Sequence, residues 1–149
     1  MDHVVYLDAK AKELNKLFAD EKSMMIRGAA GRKLPYGRVH AGDMLWFVEN
    51  NGDGLVRGRA AVKDVFQSEK LTPEESEKIL LERQAKLRLT NEQIKRWSGK
   101  RYLVLIEVEK PLAVEPFAIS RDGYGNMDDW LPVGDISSVW RQAGEARKL

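Results

Sequence analysis

Met44–Phe66 (MLWFVENNGDGLVRGRAAVKDVF) is the stretch whose reading decides the fold. Its first six residues are apolar on both pleat faces, as a strand covered on both sides should be. Asn51-Gly52-Asp53-Gly54 then signals a tight turn, because asparagine and glycine tolerate positive φ. From Leu55 to Phe66 the pattern alternates. Val56, Gly58, Ala60 and Val62 share one face, while Arg57, Arg59 and Lys63 share the other. Two such runs about such a turn predict an antiparallel hairpin with a basic outer face.

Upstream of the hairpin, His3–Leu7 reads as a short strand. Asp8 is placed to cap a helix carrying Ala11, Leu14, Leu17 and Phe18 at helical spacing, through about Ala19. Ser23–Arg27 is a second short strand. Gly28–Arg38, with three glycines and a proline, is a long shaped loop. Downstream, Thr72-Pro73-Glu74-Glu75 is a capping box with proline at the first helical position, opening a helix to about Lys86. Thr90–Gln93 repeats the box, Ile94 and Trp97 give that helix an apolar edge, and Ser98-Gly99 ends it. Arg101–Glu109 is a clear strand with Tyr102, Val104, Ile106 and Val108 on one face. Pro111 and Pro116 bracket a further extended piece, and Phe117–Ile119 reads as another. The last dozen residues predict a short helix or a frayed tail.

No βαβ alternation appears, which argues against a doubly wound parallel sheet. The order of elements predicts an α+β fold: a small mixed, mainly antiparallel β-barrel with inserted helices, in one domain over residues 1–149. A chain of that length needs no covalent staple for its core, and it has no cysteine for disulfides or thiolate chemistry. Neither a secretory leader nor an apolar run of about 18 residues is seen. The expectation is a cytoplasmic protein with no membrane span.

Charge is nearly balanced, 25 Lys and Arg against 23 Asp and Glu, but unevenly spread. No acid falls between Glu21 and Asp43, whereas Lys22, Arg27, Arg32, Lys33 and Arg38 do, with His40 beside them. A locally basic segment of this kind suggests an anion-facing patch. Gly28-Ala29-Ala30-Gly31-Arg32-Lys33 is not a nucleotide-triphosphate loop: two residues part its glycines and Leu34 follows the lysine. Its glycines still let a phosphate backbone approach, and Tyr36 offers a ring on which a base can stack. Arg57 leaves the same strand face as Arg59, and Asn50, in the turn before them, has an amide suited to a base edge. The acidic run Asp122–Asp129 departs from a calcium loop, with Tyr124 at its third position and Val133 at its twelfth. Two histidines without helical pairing predict no zinc site. No metal and no cofactor are expected.

Lys22-Ser23-Met24-Met25-Ile26-Arg27, the glycine loop, and Val39-His40-Ala41-Gly42-Asp43 ahead of an apolar strand resemble the ASCH domains of the PUA-like superfamily. Members show a glycine-x-lysine-x-x-glutamate-x-arginine signature. Lys22 and Arg27 match its lysine and arginine, while Asp20 and Met25 stand where glycine and glutamate are usual. The resemblance implies a PUA-like barrel with a cleft beside residues 22–40 and an RNA or nucleotide ligand. Arg27, Arg32, Lys33, Tyr36, Arg38, Asn50 and Arg57 would be its binding groups. The alternative it implies is an enzyme acting on RNA or modified nucleosides, a ribonuclease or amidohydrolase, with Lys22 catalytic. Met25 then stands where that amidohydrolase branch carries a threonine.

Overall fold

The computed structural model describes residues 1–125 and 128–141. The helix or tail expected at the chain's end concerns residues that, beyond Arg141, lie outside the described ones, as do Asn126 and Met127 of the acidic run.

The elements are β1 (Asp2–Leu7), α1 (Glu13–Phe18), β2 (Met24–Ala29), β3 (Met44–Glu49), β4 (Leu55–Gln67), α2 (Pro73–Glu82), α3 (Gln84–Leu87), α4 (Asn91–Trp97), β5 (Tyr102–Ile119), β6 (Trp130–Gly134), a 3-10 turn (Ile136–Ser138) and β7 (Trp140–Arg141). All seven strands join one sheet in the order β2-β5-β4-β3-β1-β6, with β7 added to β5. Among the described residues only β1 and β3 run parallel; the other pairings are antiparallel. The result is a mixed, mostly antiparallel sheet curled into a half-barrel, with helices packed on it.

The hairpin read from Met44–Phe66 forms with Leu45 opposite Ala60 and Phe47 opposite Gly58. Gly58 is required where it stands, because a Cβ there would come within 2.6 Å of the Phe18 ring. The 101–119 region differs from expectation. It is one 18-residue strand rather than three pieces. Pro111 and Pro116 are accommodated because the β4–β5 register shifts between Arg59 and Ala61 and between Val56 and Gly58. A proline has no N–H to give the ladder, and a bulge is where none is asked for.

Alternation along β2 and β5 feeds two cores. Met25, Val104, Ile106 and Val108 point into the barrel, against Leu14 and Leu17 of α1, Phe47 of β3 and Trp130 of β6. Met24, Ile26, Leu103 and Leu105 point out and are covered by Leu80, Leu87 and Trp97 of the helices. A third cluster, including Val4, Val48, Val56 and Leu131, lies apart from these two. Both capping boxes form: Thr72 with Glu75 and Thr90 with Gln93 each exchange two hydrogen bonds. The helix after Thr72, α2, ends at Glu82, earlier than its pattern suggested, and α3 restarts at Gln84 with Arg83 between them. Among the described residues no helix is long and apolar enough to cross a membrane.

Candidate functional site

The ladder order leaves β2 and β6 at opposite ends of the sheet, and the cleft lies where side chains span that seam. The turn after β1 shapes one wall. Asp8 Oδ1 accepts from the Ala11 N–H at 3.0 Å, and the Asp8 N–H donates to Glu13 Oε1 at 2.8 Å. Asp8 therefore caps this turn and not α1 itself. The helix starts five residues later, after Lys12, whose φ is 56°. The exchange aims Glu13 inward, and its Oε2 stands 3.4 Å from Lys22 Nζ.

The opposite wall is α4. Its Thr90 box fixes the first turn and uses Gln93 Oε1 to accept the Thr90 N–H. Gln93, Arg96 and Trp97 then follow at i, i+3 and i+4, the spacing of one helix face. Arg96 is exposed and lies over the Trp97 ring, 4.5 Å from its centroid. Asp129 completes the rim just before β6, placed by its carbonyl accepting from the Tyr6 N–H at 2.9 Å. Together with Tyr6, Ile26, Arg27 and Asn50 these groups enclose a cleft of about 160 Å³.

Arg27 is the cation at its base and only 7% exposed. Nη2 donates to the Tyr6 carbonyl at 2.7 Å and Nη1 to the Ile26 carbonyl at 2.8 Å. Nε has no hydrogen-bond partner among the described residues; the nearest carboxylate oxygen, Asp129 Oδ2, is 3.4 Å away. The guanidinium is also flanked by the Trp97 and Trp130 rings at 5.9 and 5.7 Å.

Of the residues expected to bind RNA, only Arg27 and Asn50 line this cleft. Asn50 Oδ1 accepts from the Ala9 N–H at 2.8 Å. Lys33 is exposed on the neighbouring loop, beside Asp128 and Asp129. Arg32 lies over the rings of Tyr36 and Tyr102, 5.7 and 5.6 Å from their centroids. The Tyr36 hydroxyl donates to the Ser68 carbonyl at 2.7 Å, which holds the ring against the core. Arg38 is exposed on the same loop. Arg57 pairs with Asp53 at 3.1 Å. Lys22 is 2% exposed; its ammonium donates to the Leu87 carbonyl and pairs with Glu13 behind the wall, without lining the cleft. Burial holds that ammonium below its ordinary pKa, against the pull of Glu13.

The expectation of a single basic hollow is thus corrected. The cleft carries three carboxylates, Asp8, Glu13 and Asp129, beside two guanidiniums, Arg27 and Arg96. Cations close in sequence do not converge: on the loop after β2, Arg32 turns to the Tyr36 and Tyr102 rings and Lys33 stands beside Asp128 and Asp129 without lining the cleft. Sequence reading missed Glu13, Gln93, Arg96, Trp97 and Asp129. The one available signal was the face shared by Gln93, Arg96 and Trp97 after a capping box, and nothing local says what that face meets.

This half-barrel, with helices over one side and a cleft at its seam, defines an α+β fold of the PUA-like class. Its solved counterparts are ASCH structures from Zymomonas mobilis. The ASCH protein itself is 12% identical, with a TM-score of 0.64 over 99% of this chain and 92% of that one. Its tyrosine-to-phenylalanine mutant is 14% identical, also at 0.64, over 99% and 94%. Its serine-to-alanine mutant is 14% identical, at 0.64 over 99% and 92%. The chain has the ASCH fold. No protein-family model matches it, and no curated protein does.

Proposed function

We propose that this ASCH-fold domain binds a nucleotide, free or as one residue of an RNA, in the cleft between the 8–13 turn and α4. The observation that carries the reading is Arg27: a guanidinium 7% exposed, opening on the cleft, whose buried Nε has no hydrogen-bond partner among the described residues and faces Asp129 Oδ2 at 3.4 Å. A buried cation gains most from a fully hydrogen-bonded anion, and guanidinium matches phosphate oxygens two at a time. Arg96, exposed at the rim, is the second phosphate contact. The amides of Asn50 and Gln93 and the carboxylates of Asp8 and Asp129 supply the acceptors and donors that a base edge or ribose hydroxyl needs.

Size agrees with one nucleotide rather than a strand. Each water needs about 10–15 Å³ of such space, so the cleft has room for on the order of ten. The hydrolytic alternative draws no support from Lys22, whose ammonium is enclosed behind Glu13.

The test is calorimetric titration with nucleoside 5′-monophosphates and the matching nucleosides. Monophosphates are expected to bind more tightly than nucleosides. Arg96→Ala is expected to weaken them about tenfold, the loss of one charge-assisted contact, with its melting temperature unchanged. Equal binding by wild type and variant, or no binding of any nucleotide, overturns the reading.

A further inference from the structure

Two amides line the cleft, and each has its oxygen engaged by a backbone N–H. Gln93 Oε1 accepts from Thr90 at 3.0 Å, in the capping box that opens α4. Asn50 Oδ1 accepts from Ala9 at 2.8 Å, in the turn that forms the facing wall. A backbone N–H can only donate, so it settles which way each amide is turned. What each amide has left for a ligand is its NH2 group. Neither nitrogen has a hydrogen-bond partner among the described residues. Gln93 is only 5% exposed and lines the cleft, so its NH2 depends on what the cleft holds.

Acceptors in the cleft are fewer. Glu13 has both oxygens engaged, by the Asp8 N–H at 2.8 Å and by Lys22 Nζ at 3.4 Å. Asp129 Oδ2 faces Arg27 Nε at 3.4 Å. Asp8 Oδ1 takes the Ala11 N–H, and Oδ2 has no partner among the described residues. With the two guanidiniums on phosphate, a base meets an NH2 donor from each wall and one carboxylate oxygen from Asp8. Uracil suits that set: O2 and O4 accept, and the N3–H between them donates. Cytosine carries an amino group where uracil has O4, which would set donor against donor. Adenine has no carbonyl, and the guanine edge has one carbonyl beside two donors.

We infer that Gln93 and Asn50 make this cleft selective for uracil: each amide donates to one ring carbonyl, and Asp8 Oδ2 accepts from N3–H. The inference rests on the nucleotide reading and adds the base, which that reading leaves open. Turning either amide over to suit cytosine would bring its NH2 against a backbone N–H. The preference is thereby built into the capping box and the turn.

The experiment is calorimetric titration with uridine, cytidine, adenosine and guanosine 5′-monophosphates. Uridine monophosphate is expected to bind about tenfold more tightly than each of the others, the effect of a buried donor left unmatched. Gln93→Glu and Asn50→Asp are then compared with wild type, each checked for its thermal midpoint. A glutamate still completes the Thr90 box, and an aspartate still accepts from Ala9, so a donor becomes an acceptor while the local fold contacts stay. The added charge weakens every monophosphate, so the ratio of uridine to cytidine affinity is the readout. Each variant is expected to lower that ratio about tenfold. Should wild type bind another monophosphate as tightly as uridine's, uracil selectivity is overturned and the nucleotide reading stands. The same holds if the ratio is unmoved in a variant that keeps its midpoint. If no monophosphate binds, the nucleotide reading fails and this inference falls with it.

Discussion

The Arg27 guanidinium donates to the Tyr6 carbonyl at 2.7 Å and so fastens β2 to β1, two strands that the sheet order keeps four places apart. Backbone pairing carries the sheet from β2 around to β6. A side chain closes the remaining seam, and the cleft lies beside it. One residue thereby links the curl of the sheet to the chemistry of the site.

That link predicts a conservative change with a large effect. Arg27→Lys keeps the charge but loses the fork that reaches both the Tyr6 and Ile26 carbonyls. At about 1–3 kcal/mol for each of the two buried acceptors left without its donor, the variant should lose roughly 2–6 kcal/mol in urea unfolding. A loss below about 0.5 kcal/mol, the level of an ordinary surface change, would show that the seam is held by something else.

His3 gives a pH dependence of definite sign. Trp130 Nε1–H donates to His3 Nδ1 at 3.0 Å, so Nδ1 is an acceptor, and Nε2 carries the proton toward Asp43 Oδ2 at 2.8 Å. The imidazole is fully buried and neutral. Burial lowers its pKa below the ordinary 6.5, more than Asp43 raises it. Below that ordinary value the unfolded chain takes up a proton that the folded one refuses. The stabilisation is therefore complete above about pH 6.5 and declines as pH falls toward the lowered value. Urea unfolding at about pH 7.5 and about pH 5.5 should show lower stability at the acid end, and His3→Gln should flatten the difference. An equal slope in that variant would assign the effect elsewhere. Asp43 acts in a separate, more acid window. Burial pushes its carboxyl up, but bonds from His3 and the His40 N–H outweigh this and hold it low.

How much of this was legible depended on range. The Met44–Phe66 hairpin and both capping boxes rest on contacts within a few residues, and the sequence shows them directly. The β6 strand was not legible. Trp130-Leu131-Pro132-Val133-Gly134 is short and broken by proline, and it becomes a strand by pairing with β1, Val4 opposite Leu131. The length of β5 was hidden for a related reason: Pro111 and Pro116 read as breaks until the bulges opposite β4 are known. At the site, Lys22 and Arg27 were singled out by type and spacing, yet charge alone does not reveal Glu13 closing on one or Asp129 approaching the other. Those acids come from the first residue of α1 and from the far end of the chain.

The Lys22–Glu13 pair should behave as a buried ion pair. Removing one partner leaves the other's charge stranded, a cost of about 3–5 kcal/mol, whereas replacing both with apolar or neutral groups of similar volume is often near neutral. Lys22→Met alone should therefore be strongly destabilising, and adding Glu13→Gln should restore part of the loss in a double-mutant cycle. Additive losses would mean that the bond from Lys22 to the Leu87 carbonyl, and not the ion pair, dominates.

The two capping boxes separate stability from function. Thr72 and Thr90 each accept from the third residue of their helix, at 3.1 and 3.2 Å, so Thr72→Ala and Thr90→Ala should each cost about 1 kcal/mol. Only the Thr90 box bears on the cleft. Its Gln93 side chain is fixed by the Thr90 N–H and lines the wall beside Arg96 and Trp97, whereas the Thr72 box heads α2, which supplies no cleft residue. Thr90→Ala should accordingly weaken mononucleotide binding several-fold, measured by titration well below the melting transition. Thr72→Ala, matched in stability loss, should leave it unchanged. Equal effects of the two on binding would mean that the ligand responds to global stability, and the α4 wall would lose its part in recognition.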